Sequence, residues 1–113
     1  MNNVIDEVVI NNLIKEIGQE HIPVLLGIFT QELEGYIERT QQLTGLELNQ
    51  YLADISHELK SSAASFGASR LESLVLLLDK KAKNGDSLTE PNTVMNFQQE
   101  VTLVLRELKT FTE

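Results

Sequence analysis

The chain has 113 residues, 42% of them apolar, enough for one hydrophobic core and too many for a disordered segment. It has no cysteine, which excludes disulfides and thiolate metal sites and fits a reducing compartment. The net charge of −8, from 17 acidic and 9 basic residues, repels phosphate backbones and anionic lipid, so neither nucleic acid nor a membrane is an expected partner.

No apolar stretch approaches the roughly 20 residues that span a bilayer. The start, Met1-Asn2-Asn3-Val4-Ile5-Asp6-Glu7, has no basic region followed by an apolar run, so a secretory signal is not expected and a cytoplasmic location is.

The apolar residues recur at helical spacing throughout. Val4 to Ile17 predicts a short first helix with Ile5, Val8, Val9, Leu13 and Ile17 inward, ended by Gly18. Pro23 suits the first turn of a second helix, whose stripe is Leu26, Phe29, Leu33, Ile37 and Leu43 and which Gly45 closes. Gly27 and Gly35 lie inside that helix, where they weaken it or mark close packing.

Leu48 to Phe66 predicts the third helix. Leu48, Leu52, Ile55, Leu59, Ala63 and Phe66 share one stripe, and Gly67 breaks the helix as a left-handed cap. Ser69-Arg70-Leu71-Glu72 has capping-box spacing and opens a fourth helix. Its inward stripe is Leu71, Leu74, Val75, Leu78 and Ala82, and Asn84-Gly85 stops it. Leu76 and Leu77 widen the apolar band, either against a neighbouring helix or, for Leu77, at the surface. Lys80, Lys81 and Lys83 complement the end of the helix dipole, with docking of an acidic partner as the alternative. The last helix starts near Pro91 and carries Val94, Phe97, Val101, Leu105 and Leu108. No segment alternates like a strand. The expected fold is all-α, one domain over residues 1–113: an antiparallel up-down four-helix bundle with a short additional N-terminal helix.

One residue departs from this burial pattern in an informative way. At about 100° per residue, His57 points roughly 170° from the centre of the buried stripe. Its helical neighbours Ala53, Ser61 and Ala64 are all small, and Lys60 lies one turn on. The expectation is an exposed imidazole in a shallow clearing, beside a cation, open to another macromolecule. No carboxylate cluster is expected to face the ring, and Ser62 is expected to point toward the core. His21, at a helix entry, reads as a cap or a surface residue.

Metal and hydrolase chemistries fail on residue type. His57-Glu58 begins like a zinc-protease helix, but Ser61 stands where the second histidine is required. There is no Gly-x-Ser-x-Gly elbow.

The segment Ile55-Ser-His-Glu-Leu-Lys-Ser-Ser-Ala-Ala-Ser-Phe-Gly-Ala-Ser-Arg-Leu71 resembles the signature of histidine phosphotransfer (HPt) domains. The matching positions are His57, Leu59, Lys60, Ser61, Ser62, Gly67, Ala68 and Leu71; Ser61 replaces a frequent glycine but is still small. Leu26 and Phe29 upstream also fit the pattern. Pro23 to Leu26, Ile55 to His57, Leu59 to Ala68 and Asp79 to Lys83 resemble the family members that serve quorum-sensing relays.

The resemblance implies a phosphorelay intermediate rather than an enzyme, and a monomer. His57 would accept a phosphoryl group from the receiver domain of a hybrid sensor histidine kinase and pass it to the receiver domain of a response regulator. Lys60 and Ser61 would contact the phosphoryl oxygens, and Ala53, Ala64 and Gly67 would give the docking partner room. Magnesium would come with the receiver domain, so this chain needs no cofactor of its own. An imidazole with the ordinary pKa of about 6.5 is a competent nucleophile near neutral pH. Phosphoryl transfer asks mainly for alignment and charge neutralisation.

Two alternatives compete with this reading. A helical adaptor would bind receiver domains without carrying phosphate. Ser56 to Lys60 also resembles the phosphoacceptor box of sensor kinases, but Ser62 stands where that box has proline. No glycine-rich phosphate loop is present, so self-phosphorylation from ATP is not expected.

Overall fold

The computed structural model describes residues 3–111. The expected domain ends, residues 1–2 and 112–113, lie outside the described residues. Five helices follow in chain order: α1 (Glu7–Ile17), α2 (Ile22–Gln42), α3 (Gly45–Ser65), α4 (Ser69–Lys83) and α5 (Pro91–Lys109). There are no strands among the described residues.

Each helix begins where local chemistry allows. The Asp6 carboxylate accepts the backbone N–H groups of Val8 at 3.0 Å and Val9 at 3.4 Å, capping α1. Because Asp6 is the cap, Val4 and Ile5 precede the helix and do not set its phase. The inward residue is therefore Ile10, fully buried and flanked by Val9, Leu13 and Ile14, while Val8 is 69% exposed and Ile17 lies at the surface.

Pro23 sits in the first turn of α2 as expected. His21 precedes that turn without a side-chain cap and lies at the surface beside Glu20. The inward face of α2 holds Ile22, Leu26, Phe29, Leu33, Tyr36 and Thr40, with Ile37 half-buried.

The second helix ends at Gln42 rather than at Gly45. Leu43 and Thr44 are extended, and Gly45, at φ 59°, is the first residue of α3. The stripe Leu48, Leu52, Ile55, Leu59, Ala63 and Phe66 is buried throughout. Phe66 stacks on Phe29 with ring centroids 4.3 Å apart, fixing α3 against α2.

Ser69 is not a cap. Ala68 occupies that place, and the Ser69 side chain lies near the Gly67 carbonyl. The junction is organised by the end of α3 instead: Ala68 N–H donates to Ala63 C=O at 2.8 Å and Gly67 N–H to Ala64 C=O at 3.2 Å, a Schellman pair.

On α4, Leu71, Val75 and Leu78 are buried, and both Leu76 and Leu77 are exposed. Leu88, in the connection to α5, is fully buried, and its N–H donates to Asn49 Oδ1 at 2.7 Å. On α5 the inward residues are Phe97, Val101, Val104 and Leu108, with Leu105 only half-buried. α3 packs on α4, α4 on α5, α5 on α2 and α2 on α3, and α1 lies on α3. Arg70–Glu100 at 2.6 Å and Gln98–Thr40 at 3.0 Å tie α5 to its two neighbours.

The glycines divide by environment. A Cβ on Gly27 or Gly35 would meet nothing within 4 Å, so neither marks close packing. Gly67, at φ +74°, would place a Cβ 2.8 Å from the Asp6 carbonyl and 3.1 Å from Val9 Cβ. Gly27→Ala is expected to raise stability by up to about 1 kcal/mol, since alanine is the better helix former. Gly67→Ala is expected to lower it by about 2 kcal/mol or more, from the strained φ and the backbone clash. Urea unfolding of the two variants checks both signs.

Candidate functional site

His57 projects from α3 with 63% of its side chain exposed. The same helical phase that buries Ile55 and Leu59 turns His57 outward. Lys60, three residues on, shares its side of the helix. Ser61 and Ala64 are exposed, so the surface around the ring is low toward the C-terminal end of α3. Ala64 and Ser65 line a groove of about 300 Å³ with Val9, Asn12, Leu13 and Glu16 of α1. Ala53 is half-buried against the core and opens the surface less than Ser61 and Ala64 do. Ser62 is half-buried, with its hydroxyl directed back to Glu58 C=O.

Gly67 does not belong to this clearing. It is buried beneath the start of α1: Asp6 N–H donates to Gly67 C=O at 2.7 Å, and Val9 closes over it. What packs tightly at Gly67 is α1. Its bearing on the site is indirect, through the turn that sets α4 beside α3.

No carboxylate cluster faces His57 among the described residues, but one aspartate lies against it. Asp79 of α4 is nearly enclosed, with 9% of its side chain exposed. Its Oδ1 lies 3.2 Å from His57 Nδ1. Its Oδ2 accepts from Lys60 Nζ at 2.7 Å and from Lys83 Nζ at 2.9 Å. One carboxylate therefore joins the imidazole and two ammonium groups across the α3–α4 interface. The hydrogen bonds from Lys60 and then Lys83 hold the Asp79 carboxyl well below the usual carboxylate range, against the opposing effect of its burial. The same contact raises Lys83. Lys60 is thus a paired cation, 26% exposed, rather than a loose one. Lys80 and Lys81 accompany Lys83 in the last turn of α4 without joining this network.

The sequence signal for Asp79 is its position: one turn beyond Val75 and next to Leu78, on the inward side of α4. A carboxylate there needs cationic partners. Behind the site, Ser56 is fully buried, and its hydroxyl has no hydrogen-bond partner among the described residues. Within α2, Tyr36 donates to Glu32, and its hydroxyl is raised by burial first and by that bond second.

The family model described as the Hpt domain matches residues 24–109, and the chain belongs to that family. The match runs beyond the motif-bearing Pro23–Lys83 segment through α5. Among curated proteins, the chain is 49% identical over 81 residues to the phosphorelay protein LuxU of Vibrio harveyi, covering 72% of this chain and 71% of the relative. It is 48% identical over 86 residues to the phosphorelay protein LuxU of Vibrio vulnificus strain YJ016, covering 76% and 75%. To the phosphorelay protein LuxU of Vibrio cholerae serotype O1 it is 44% identical over 88 residues, covering 78% of each. No solved structure gives a significant match. No helix of the described residues is long and apolar enough to cross a membrane.

The depressed titration of Asp79 has a signed consequence. A carboxyl held below its ordinary value of 3.8 contributes stability that is complete above that value and lost as the pH falls toward its folded titration. Between neutral pH and about pH 2, wild type is expected to lose more stability than Asp79→Asn in urea unfolding. Parallel losses in the two proteins would show that the carboxylate is not held by its cations.

Proposed function

We propose that this chain is a phosphorelay intermediate of two-component signalling, in which His57 carries the phosphoryl group. It accepts that group from a receiver-domain aspartyl phosphate of a hybrid sensor histidine kinase and donates it to the receiver domain of a response regulator. Likeness to the LuxU proteins supports placing the relay in quorum sensing. The chain acts as a carrier rather than an enzyme, because the group it receives is the group it gives up. The observation that carries the reading is an imidazole 63% exposed on an otherwise well-packed helix, with Lys60 and Asp79 at its base.

Lys60 and Ser61 contact the phosphoryl oxygens in this reading, and Ser61 and Ala64 leave the partner room to close over the ring. Magnesium belongs to the receiver domain, and this chain supplies no cofactor. The chain works as a cytoplasmic monomer and a single domain over residues 1–113. The ring of packed helices and the short connections at residues 43–44, 66–68 and 84–90 support an antiparallel up-down four-helix bundle, with α1 as the addition.

The test mixes the chain with a phosphorylated receiver domain and magnesium and follows acid-labile, base-stable phosphate. Label is expected on wild type and absent from His57→Gln. A wild-type chain that binds the receiver but takes no label is an adaptor, and label persisting on His57→Gln places the chemistry elsewhere. Ala64→Arg, at an exposed helix position, is expected to block transfer while leaving helicity by circular dichroism unchanged. Transfer at the wild-type rate would show that the partner does not approach over Ala64.

A further inference from the structure

We infer that the docking face around His57 is electrically divided, and that it takes a receiver domain whose rim is cationic toward α2 and anionic toward α4, so that charge fixes the partner's rotation about the transfer axis. The inference rests on the carrier reading above and adds the chemistry of the partner's rim.

Helical phase lays out the face. At about 100° per residue, Gln50, Ala53, Ser61 and Ala64 lie within about 40° of His57 on α3. None of the four carries a charge. Glu47, Asp54 and Glu58 are turned about 60–100° to one side of the ring, and Lys60 about 60° to the other.

The acidic side is the one that faces α2. Tyr51 of α3 lies there, edge-on to Tyr36 of α2 with ring centroids 6.4 Å apart, and the Arg39 guanidinium of α2 sits 5.8 Å from its centroid. Arg39 and Leu43 line one groove with Glu47 and Asp54. Burial raises the hydroxyls of Tyr36 and Tyr51, and the Glu58 charge raises both further, which places Glu58 on the same flank. Glu32, bonded to Tyr36, adds a carboxylate from α2. Glu32, Glu47, Asp54 and Glu58 are all exposed, and Arg39 offsets one of their four charges.

The opposite side faces α4 and is basic. Lys60 and Lys83 share the one carboxylate of Asp79, so the three leave a positive charge. Lys80 is exposed beside them and adds another. Glu72 stands about 10 Å back along α4. Asp86 lies past the end of that helix, with its N–H on Lys81 C=O.

The transfer axis has no preferred rotation of its own. In-line transfer fixes the distance and approach of the partner's aspartyl phosphate, and turning the partner about the N–P axis preserves both. The small uncharged residues beside the ring do not resist that turn. Opposite charges on the two flanks do, because like charges brought together across an interface are costly and complementary ones set its register. Side chains one helical turn apart are about 5–6 Å from each other. That is shorter than the Debye length of about 8 Å at physiological salt, so both flanks act on a docked partner.

The test uses two charge reversals of opposite sign. Asp54→Lys makes the chain less negative and Lys80→Glu makes it more so; combined, they restore the net charge of −8. Calorimetry with magnesium measures binding of the unphosphorylated receiver domain that, among those of the source organism's response regulators, binds wild type most tightly. Each single variant is expected to weaken binding by about threefold or more. The double variant is expected to weaken it further, with helicity by circular dichroism unchanged throughout. The differences are expected to shrink near 1 M salt, where the Debye length is about 3 Å. Opposite shifts in the single variants, with the double variant back at the wild-type affinity, would overturn the inference in favour of overall charge alone. Affinities equal to that of wild type in all three would overturn it as well. Wild type that binds with the expected pattern but takes no label from the phosphorylated receiver would fail the carrier reading and leave the divided face standing. Wild type that binds none of the receiver domains overturns both.

Discussion

A carboxylate that is almost enclosed between two helices must be surrounded by donors, and this requirement organises the functional end of the molecule. Asp79 meets it with Lys60, Lys83 and the His57 ring. Two of those partners come from α3 and one from α4, so the network locks the two most extensively packed helices together at the point where the imidazole emerges. The arrangement also concentrates positive charge on a chain whose net charge is −8. That local cationic character suits a visiting phosphoryl group, whose equatorial oxygens carry the charge to be neutralised. Lys60 already holds an anion in the resting protein. Contact with a phosphoryl group would therefore mean sharing Lys60 between two acceptors rather than recruiting a free cation.

The geometry of that network depends on the turn that precedes it. Gly67 lets α3 reverse into α4 within residues 66–68, closed by the Ala68–Ala63 and Gly67–Ala64 hydrogen bonds. The same residue receives the start of α1 through the Asp6 N–H. The N-terminal helix is thus fastened to the α3–α4 junction and borders the low surface at Ala64. A glycine that lies outside the low surface near Ala64 nonetheless shapes it, because any Cβ there would push α1 away.

The parts of the molecule differ in how well the chain announces them. The stripe of α3 is long and uninterrupted, so its phase, and with it the outward direction of His57, follows from spacing alone. The first helix is short, and two apolar residues stand ahead of its cap; counting them as helical rotates the stripe and wrongly buries Val8 in place of Ile10. Ser69-to-Glu72 has the spacing of a capping box, yet the Schellman closure at Gly67 moves the cap position to Ala68. Asp79 is poorly marked in the sequence, since its partners Lys60 and His57 are distant in the chain. Only its place on the inward side of α4 signals a need for cationic partners. Helical period reports which way a side chain points, whereas ion pairs between helices depend on how those helices sit against each other.

The proposal on which the rest depends is that the exposed imidazole of His57 carries the phosphoryl group. Phosphorus–nitrogen coupling in the NMR spectrum of the phosphorylated chain tests it most directly, because it names the residue. The account predicts a phosphoryl group on the His57 ring. A phosphoryl group on any other side chain would contradict it.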